Sequence, residues 1–347
     1  MKIAIIADPY IPVPPAGYGG IERIINMLIK EYNVRGHKVI LIAHPGSKVE
    51  CELIPYGIPP HEGIFSRAGE LLELWRILLA RRKDIDIIHN FGRLAAMLPL
   101  YFNKIPKIQS YQREVIKKNP WLVNKLAGGS IFFTACSDNC ASYGSLPGRW
   151  QTIYNGAPSN MFEFRKSVAD DAPLVFLGRL EEIKGAHTAI EAALAVKRKL
   201  VIAGNIVTKG KAYRYFKEKI KPYIDGINIR YAGEVNDAQK NSLLGASLAL
   251  LLPIEWEDPC PVIVSESLAC GTPVIGFKRG GLPEIIHDGI SGFICRDKQE
   301  MIDKVNRIKE ISRKKCREEF ESRFSAGVIA GQYLDLYKRL LSKDYGR

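Results

Sequence analysis

The stretch Leu174-Val-Phe-Leu-Gly178-Arg179-Leu-Glu-Glu-Ile-Lys184-Gly185-Ala-His-Thr-Ala-Ile-Glu-Ala-Ala-Leu-Ala-Val196, followed shortly by Leu200-Val-Ile-Ala203, decides the fold class. An apolar run that ends at a glycine reads as a fully buried strand, the Ala-rich run after Gly185 as a helix, and 200–203 as a second buried strand. Strand, helix, strand in that order is a βαβ unit, and its strands pair in parallel.

The same alternation extends in both directions. Downstream, strands are expected at 228–231, 248–252 and 274–277, with helices at 212–223, 237–245 and 262–269. Upstream, 2–7 is a buried strand, and Ile21, Ile24, Ile25, Leu28 and Tyr32 mark one face of a helix that stops at Arg35-Gly36. Strands at 38–43, 86–89, 107–110, 131–135 and 152–154 and a helix at 71–81 complete the first half. The class is α/β, with two doubly wound parallel sheets. The segment 155–171, with Gly156, Pro158 and several changes of charge, reads as a linker, which puts the domains at 1–160 and 161–325. A last helix over 326–341 carries Ile329, Tyr333, Leu336, Tyr337 and Leu340 as a stripe that must pack on something. Ligands of such sheets bind beyond the carboxyl ends of the strands, so the chemistry belongs on those loops.

Composition narrows the function classes. The 347 residues are 46% apolar, which suits two domains with their own cores and excludes a disordered chain. The longest uncharged stretch in the apolar parts, 241–254, is shorter than the roughly 18 residues of a bilayer span. The start, MKIAIIADPY, reads as a first strand rather than an export signal, and a cytoplasmic protein is expected. Seven scattered cysteines do not form a disulfide framework, and neither they nor the six histidines show metal-ligand spacing, so no metal is assigned. Asp84-Ile-Asp86 opens a strand and is not assigned to a metal either. The formal charge of +13 fits nucleic acid, an anionic membrane surface or a phosphorylated small substrate. Residues 1–165 carry +7 and the remainder +6, so there is no concentrated stripe of the kind that nucleic acid needs.

Several loops carry candidate chemistry. The first βα loop ends Ala16-Gly17-Tyr18-Gly19-Gly20 and runs directly into a helix, which makes an anion cradle or a structural turn. It has neither the third glycine of a dinucleotide fingerprint nor the Gly-Lys-Ser/Thr of a Walker loop. Gly178-Arg179 and Lys184-Gly185 place two cations at one strand end, suited to a diphosphate or simply solvated. Asp258 follows the apolar strand at 248–252. Glu266 lies one turn inside a helix starting near Pro261, so both carboxylates can meet sugar or ribose hydroxyls, or else serve the helix dipole.

Taken together, Gly-Arg-x4-Lys-Gly (178–185), the block Asp258-Pro-x6-Glu266 continuing as Ser-Leu-Ala-Cys-Gly-Thr-Pro-Val, and Gly280-Gly-Leu-Pro-Glu-Ile-Ile-His-Asp-Gly-Ile-Ser-Gly-Phe293 resemble the retaining family 4 glycosyltransferases (glycosyl transferases group 1) of GT-B fold. Gly17 to Arg23, Arg35-Gly36-His37 and Tyr154-Asn155-Gly156 extend the resemblance over nearly the whole chain. The Pro-rich loop before Ile21 and the Trp256-Glu-Asp-Pro form resemble the branch that contains the avilamycin-pathway transferase.

The resemblance implies a nucleotide-sugar donor, UDP-linked before GDP-linked, and a hydroxyl of a glycan, lipid-linked or small-molecule acceptor. It implies no cofactor and no metal. Arg179 and Lys184 would bind the diphosphate, with Asp258 on the donor sugar and Glu266 on the ribose. The amides around Cys260, Pro261 and Val262 would meet phosphate, Gly233, Glu234 and Val235 would line the base, and Gly19 and Gly20 would close the phosphate site from the first domain. Tyr18 and Glu22 would lie near the acceptor, and 326–347 would return to the first domain. Three positions depart from the pattern. Asp258 replaces a glutamate and loses about 1.5 Å of reach, Pro261 replaces a glycine and removes an N–H, and Gln112 stands where relatives have a histidine, a role His89 is a candidate to fill. A non-catalytic nucleotide-sugar-binding protein of the same fold is the alternative. Finally, Lys104, Lys107, Arg113, Lys117, Lys118 and Lys125, with Tyr111, Trp121 and Leu122 interleaved, make either a solvated basic face or a peripheral membrane contact.

Overall fold

The computed structural model of the chain describes residues 1–17, 19–57, 64–113, 115, 118–127, 130–142 and 148–342. In chain order the first half contains β1 (Lys2–Ile6), α1 (Gly20–Val34), β2 (Lys38–Ala43), β3 (Glu52–Pro55), α2 (Ile64–Arg81), β4 (Ile87–Asn90), β5 (Lys107–Tyr111), α3 (Lys118–Leu126), β6 (Ile131–Ala135), α4 (Asp138–Ser142) and β7 (Arg149–Thr152). The second half contains β8 (Leu174–Leu177), α5 (Ala186–Ala195), β9 (Leu200–Ala203), α6 (Gly210–Tyr215), β10 (Ile229–Tyr231), α7 (Asp237–Gly245), β11 (Ala249–Leu252), α8 (Val262–Ala269), β12 (Val274–Phe277), α9 (Leu282–Ile285), β13 (Gly292–Cys295), α10 (Lys298–Asn306) and α11 (Arg313–Arg323). The C-terminal helix α12 spans Ala326–Leu341.

Two compact units result. The first comprises Met1–Tyr154 with Ala326–Arg347, and the second Asn155–Ser325. The first holds a sheet in the order β3-β2-β1-β4-β5-β6-β7, the second a sheet in the order β10-β9-β8-β11-β12-β13. Every strand pair is parallel; in the first sheet Ile3 faces Val39 on one side and Ile87 on the other. Strands buried on both faces need side chains that bury in both directions, which is why β8 and β11 read as continuous apolar runs. In each sheet the strand order reverses once, between β1 and β4 and between β8 and β11, and the loops at those reversals open at the carboxyl ends.

The segment at 155–171 is not a linker. Phe162 is fully buried, the Glu163 amide donates to Asn241 Oδ1 at 2.9 Å and the Arg165 amide to the Cys270 carbonyl at 3.1 Å, so its charges alternate with anchors in the second unit. The division therefore falls at 154/155 rather than 160/161. The helix expected over 212–223 is broken: α6 passes into a π turn at Phe216–Ile220 and a 3-10 turn at Lys221–Tyr223, where Pro222 has no amide to continue the ladder. The strand expected at 152–154 lies earlier, at Arg149–Thr152.

Within the first unit α12 packs on α1. Tyr337 meets Tyr32 at 5.8 Å between ring centroids, their hydroxyls are 3.0 Å apart, and Arg35 donates to the Gly327 carbonyl at 2.8 Å. No helix among the described residues is long and apolar enough to cross a membrane.

Candidate functional site

The second unit gathers the candidate residues at the reversal between β8 and β11. Arg179 follows β8, and its Nη1 bonds Glu181 Oε1 at 2.9 Å. A 3-10 turn, Glu182–Lys184, carries the chain to Gly185. Gly185 has φ +75°, and a Cβ there would lie 2.0 Å from the Pro253 carbonyl, so only glycine lets the loops after β8 and β11 touch. The Glu255 amide bonds the Ile183 carbonyl at 3.0 Å and closes that contact.

This approach brings Lys184 to Asp258. Lys184 Nζ lies 2.6 Å from Asp258 Oδ2 and 5.1 Å from the centre of the Trp256 ring. Asp258 is itself held through its backbone. Its carbonyl accepts the Gly281 amide at 2.9 Å, and the Gly280 amide donates to Glu257 Oε2 at 2.6 Å. Gly280 has φ +53°, and a Cβ there would sit 2.1 Å from the Asp258 carbonyl oxygen, so the Gly280-Gly281 pair and the acid-Pro block form one packed unit.

The next residues lead into α8. Cys260 is buried, which favours a packed thiol over a reactive one, and its carbonyl accepts Asn155 Nδ2 at 3.1 Å. Pro261 occupies the N-cap, with Val262 as the first helical residue. Glu266, 5% exposed, forms a short ion pair with Lys240 of α7, which also lies 3.5 Å from Asp237. On the other side of α7, Gly233, Glu234 and Val235 form the loop from β10, and the Gly233 carbonyl accepts the Gly204 amide at 2.9 Å. The loop ends in a capping box between Asn236 and Gln239.

The structure therefore brings Arg179, Lys184 and Asp258 to one strand-end region, with Glu266 inside α8. The residues that sequence reasoning missed are the partners: Glu181 for Arg179, Trp256 for Lys184, and Lys240 for Glu266. Lys240 carries a weak signal as the i+3 neighbour of Asp237; its reach to Glu266 depends on how α7 and α8 pack.

In the first unit, Gly19 and Gly20 stand at the start of α1, where a Cβ on Gly19 would lie 2.7 Å from Pro15 Cβ and 2.9 Å from Glu22 Oε2. Glu22 is buried, and burial, with a smaller effect of the nearby Asp8 charge, raises its carboxyl above the usual range. Asp8, just past β1, is likewise raised by burial, against Arg113 at 3.8 Å. Gln112 is half-buried, and its buried Oε1 has no hydrogen-bond partner among the described residues. Tyr18 lies outside the described residues.

His89 is corrected. It is fully buried, with Nδ1 2.6 Å from Tyr337 Oη and Nε2 2.6 Å from Ser110 Oγ, so both ring nitrogens are engaged within the core. The expected basic face is also reduced. Lys107 is buried with Nζ donating to the Asn103 and Ile105 carbonyls at 2.7 and 2.8 Å, while Glu114 and Lys117 lie outside the described residues. Asp86 Oδ2 accepts the Lys2 amide at 2.7 Å and Asp84 pairs with Arg81, and among the described residues no group of three or more His, Cys, Asp or Glu is placed to hold a metal.

Comparison with known proteins meets this geometry from outside. Residues 160–323 match the family described as glycosyl transferases group 1. The chain is 24% identical to glycogen synthase of Mycobacterium tuberculosis over 350 aligned positions, covering 85% of this chain and 82% of that protein. Its fold matches the crystal structure of AviGT4, a glycosyltransferase involved in avilamycin A biosynthesis, with TM-score 0.73 and 25% identity over 99% of this chain and 98% of that one. It also matches Anabaena Alr3699/HepE, solved in complex with UDP and glucose, with TM-score 0.75 and 17% identity over 97% of this chain and 99% of that one. Two Rossmann-like parallel-sheet domains are the architecture of the GT-B glycosyltransferases. A family match that nearly fills the second unit, on a fold that the whole chain shares with solved glycosyltransferases, makes the second unit similar to the group 1 glycosyltransferases.

Proposed function

We propose that the protein moves a sugar from a nucleoside-diphosphate donor to a hydroxyl of a glycan, lipid-linked or small-molecule acceptor, with retention of anomeric configuration and without a metal. The observation that carries this reading is the pair Arg179 and Lys184 after β8, with Lys184 on Asp258 at the strand-order reversal. A diphosphate needs fixed positive charge that strengthens its hold as the leaving group gains charge, and two cations on short loops supply it. When the phosphates draw Lys184, Asp258 is released to accept hydrogen bonds from hydroxyls of the donor sugar. Glu266, aligned by Lys240, accepts from the ribose hydroxyls, and Gly233, Glu234 and Val235 border the base. The group transfer balances without a protein base: the bond from C1 to the diphosphate breaks, the acceptor oxygen bonds C1 on the same face, and the departing phosphate oxygen takes the acceptor proton. UDP is the favoured nucleotide, supported by a solved protein of the same fold that holds UDP and glucose.

The test is a donor panel of UDP-, GDP- and ADP-sugars read by nucleotide release, with the product's anomeric configuration read by NMR. Arg179→Ala and Lys184→Ala are each expected to lower kcat/KM by about a hundredfold or more, with EDTA leaving the parent rate unchanged. Failure to bind or slowly hydrolyse any donor in the panel sinks the reading, and inverted product sinks its stereochemistry.

A further inference from the structure

The cations of the site are each met by a carboxylate, whereas a second group, far denser in sequence, is not. Between β9 and β10, Lys209, Lys211, Arg214, Lys217, Lys219 and Lys221 stand against the single acid Glu218. The helical run that carries them, α6 with its π and 3-10 turns, is fixed from beneath. Tyr215 and Ile220 are buried, and the Tyr215 hydroxyl accepts the His187 amide at 3.1 Å. All six cations face outward and none forms an ion pair among the described residues; Lys217 lies over the Tyr213 ring at 5.5 Å. The nearest acid further along, Asp225, is engaged by its own loop, accepting the amides of Ile227, Asn228 and Ile229 at 2.8, 2.8 and 3.0 Å.

Exposed apolar groups accompany the cations in this segment. Tyr213 is 39%, Tyr223 45% and Ile227 73% exposed. Two buried anchors, six exposed cations, and exposed tyrosines and an isoleucine match the headgroup region of a bilayer, where aromatic rings and short apolar side chains enter and lysines meet lipid phosphates. A nucleic acid would satisfy the charge but leave Ile227 unexplained.

We propose that the segment 209–227 of the second unit is a docking surface for an anionic lipid bilayer. It is distinct from the 104–125 segment of the first unit, and it does not depend on the identity of the donor or acceptor.

The experiment is flotation of the purified full chain with vesicles of 30% phosphatidylglycerol in phosphatidylcholine, compared with phosphatidylcholine alone, at low and high salt. Binding is expected only to the anionic vesicles and to weaken with salt. At about fivefold in partition per cation removed, the variant Lys211→Gln, Lys217→Gln, Lys219→Gln, Lys221→Gln should lose on the order of a few hundredfold. Its thermal transition should stay unchanged, since none of these side chains is buried. Ile227→Ser should weaken binding without altering its salt dependence, and Lys104→Gln with Lys125→Gln should leave it intact. The proposal is overturned if the fourfold variant floats like the parent, if the Lys104 and Lys125 pair carries the loss, or if single-stranded DNA captures the chain more tightly than vesicles at equal phosphate concentration and salt.

Discussion

Glu266 and Glu22 are both buried carboxylates, and their surroundings give them opposite fates. Glu266 has Lys240 against it, so its charge is compensated inside the protein. Removing one partner of a buried pair leaves the other charge stranded and costs several kcal/mol, about 3–5 in known cases. Glu266→Gln is therefore expected to destabilise the second unit and to weaken UDP binding by about tenfold or more, a loss comparable to one charged hydrogen bond. Calorimetric titration with UDP checks it, and undiminished affinity would remove Glu266 from the ribose. Glu22 has Asp8 nearby instead, and burial raises its carboxyl. A raised carboxyl binds its proton more tightly in the folded state, so its ionisation opposes folding above the ordinary carboxylate range and ceases to do so once pH falls below it. Glu22→Gln should melt about 2–4 °C above the parent at pH 7 if the relief is near 1 kcal/mol, with the gap closing near pH 4. The glutamates, Arg179 and Lys184 were legible in the sequence because loop position and charge are local properties. Lys240 and the burial of Lys107 were not, since both depend on which carbonyls and carboxylates other segments deliver.

At the scale of elements, the loops matter more than the helices they join. Gly280 and Asp258 belong to different βα loops, yet the Gly280 backbone leaves no room for a methyl group beside the Asp258 carbonyl. Gly280→Ala combines a strained left-handed backbone with a steric clash, and is expected to cost about 1–3 kcal/mol. It should also displace Asp258 from Lys184, so kcat/KM should fall more than stability explains; activity measured well below the melting point separates the two effects. The helices after β10 and β11 follow their sequence patterns. The run 212–223 does not, because Pro222 ends the ladder and the tyrosines and lysines around it give no clean helical stripe. β3 and β13 escape the sequence pattern as well: Glu52–Pro55 is short and exposed at both ends at the sheet edge, and Gly292 opens a strand where a side chain would strike the Val274 carbonyl.

For the molecule as a whole, the C-terminal helix is part of the first unit's core. Ile329, Tyr333, Leu336 and Tyr337 are buried, and at about 1.5–3 kcal/mol per large apolar side chain they match much of a domain's total stability of about 5–15 kcal/mol. A chain ending at Ser325 should leave the first unit without cooperative unfolding in near-UV circular dichroism. The more delicate change Tyr337→Phe keeps the ring but strands His89 Nδ1, with an expected loss of about 1–3 kcal/mol. Burial lowers His89 to about 3, so the folded state holds it neutral. Its contribution is full above the ordinary histidine value near 6.5 and is lost as pH falls from there toward 3. The stability difference between the parent and His89→Gln should therefore narrow over that interval.

What the sequence by itself determined is the class and the position of the loops: alternating buried strands and helices impose parallel sheets, and parallel sheets put the loops carrying Arg179, Lys184 and Asp258 at their carboxyl ends. What only the tertiary structure decided is which charges have partners. It sealed His89 and Lys107 inside, matched Glu266 with Lys240, absorbed 155–171 into the second unit and left the lysines of 209–221 without ion pairs among the described residues. The reason is physical: backbone pattern is set by neighbours in sequence, whereas the burial and compensation of a charge depend on groups that are brought beside it only when distant segments pack.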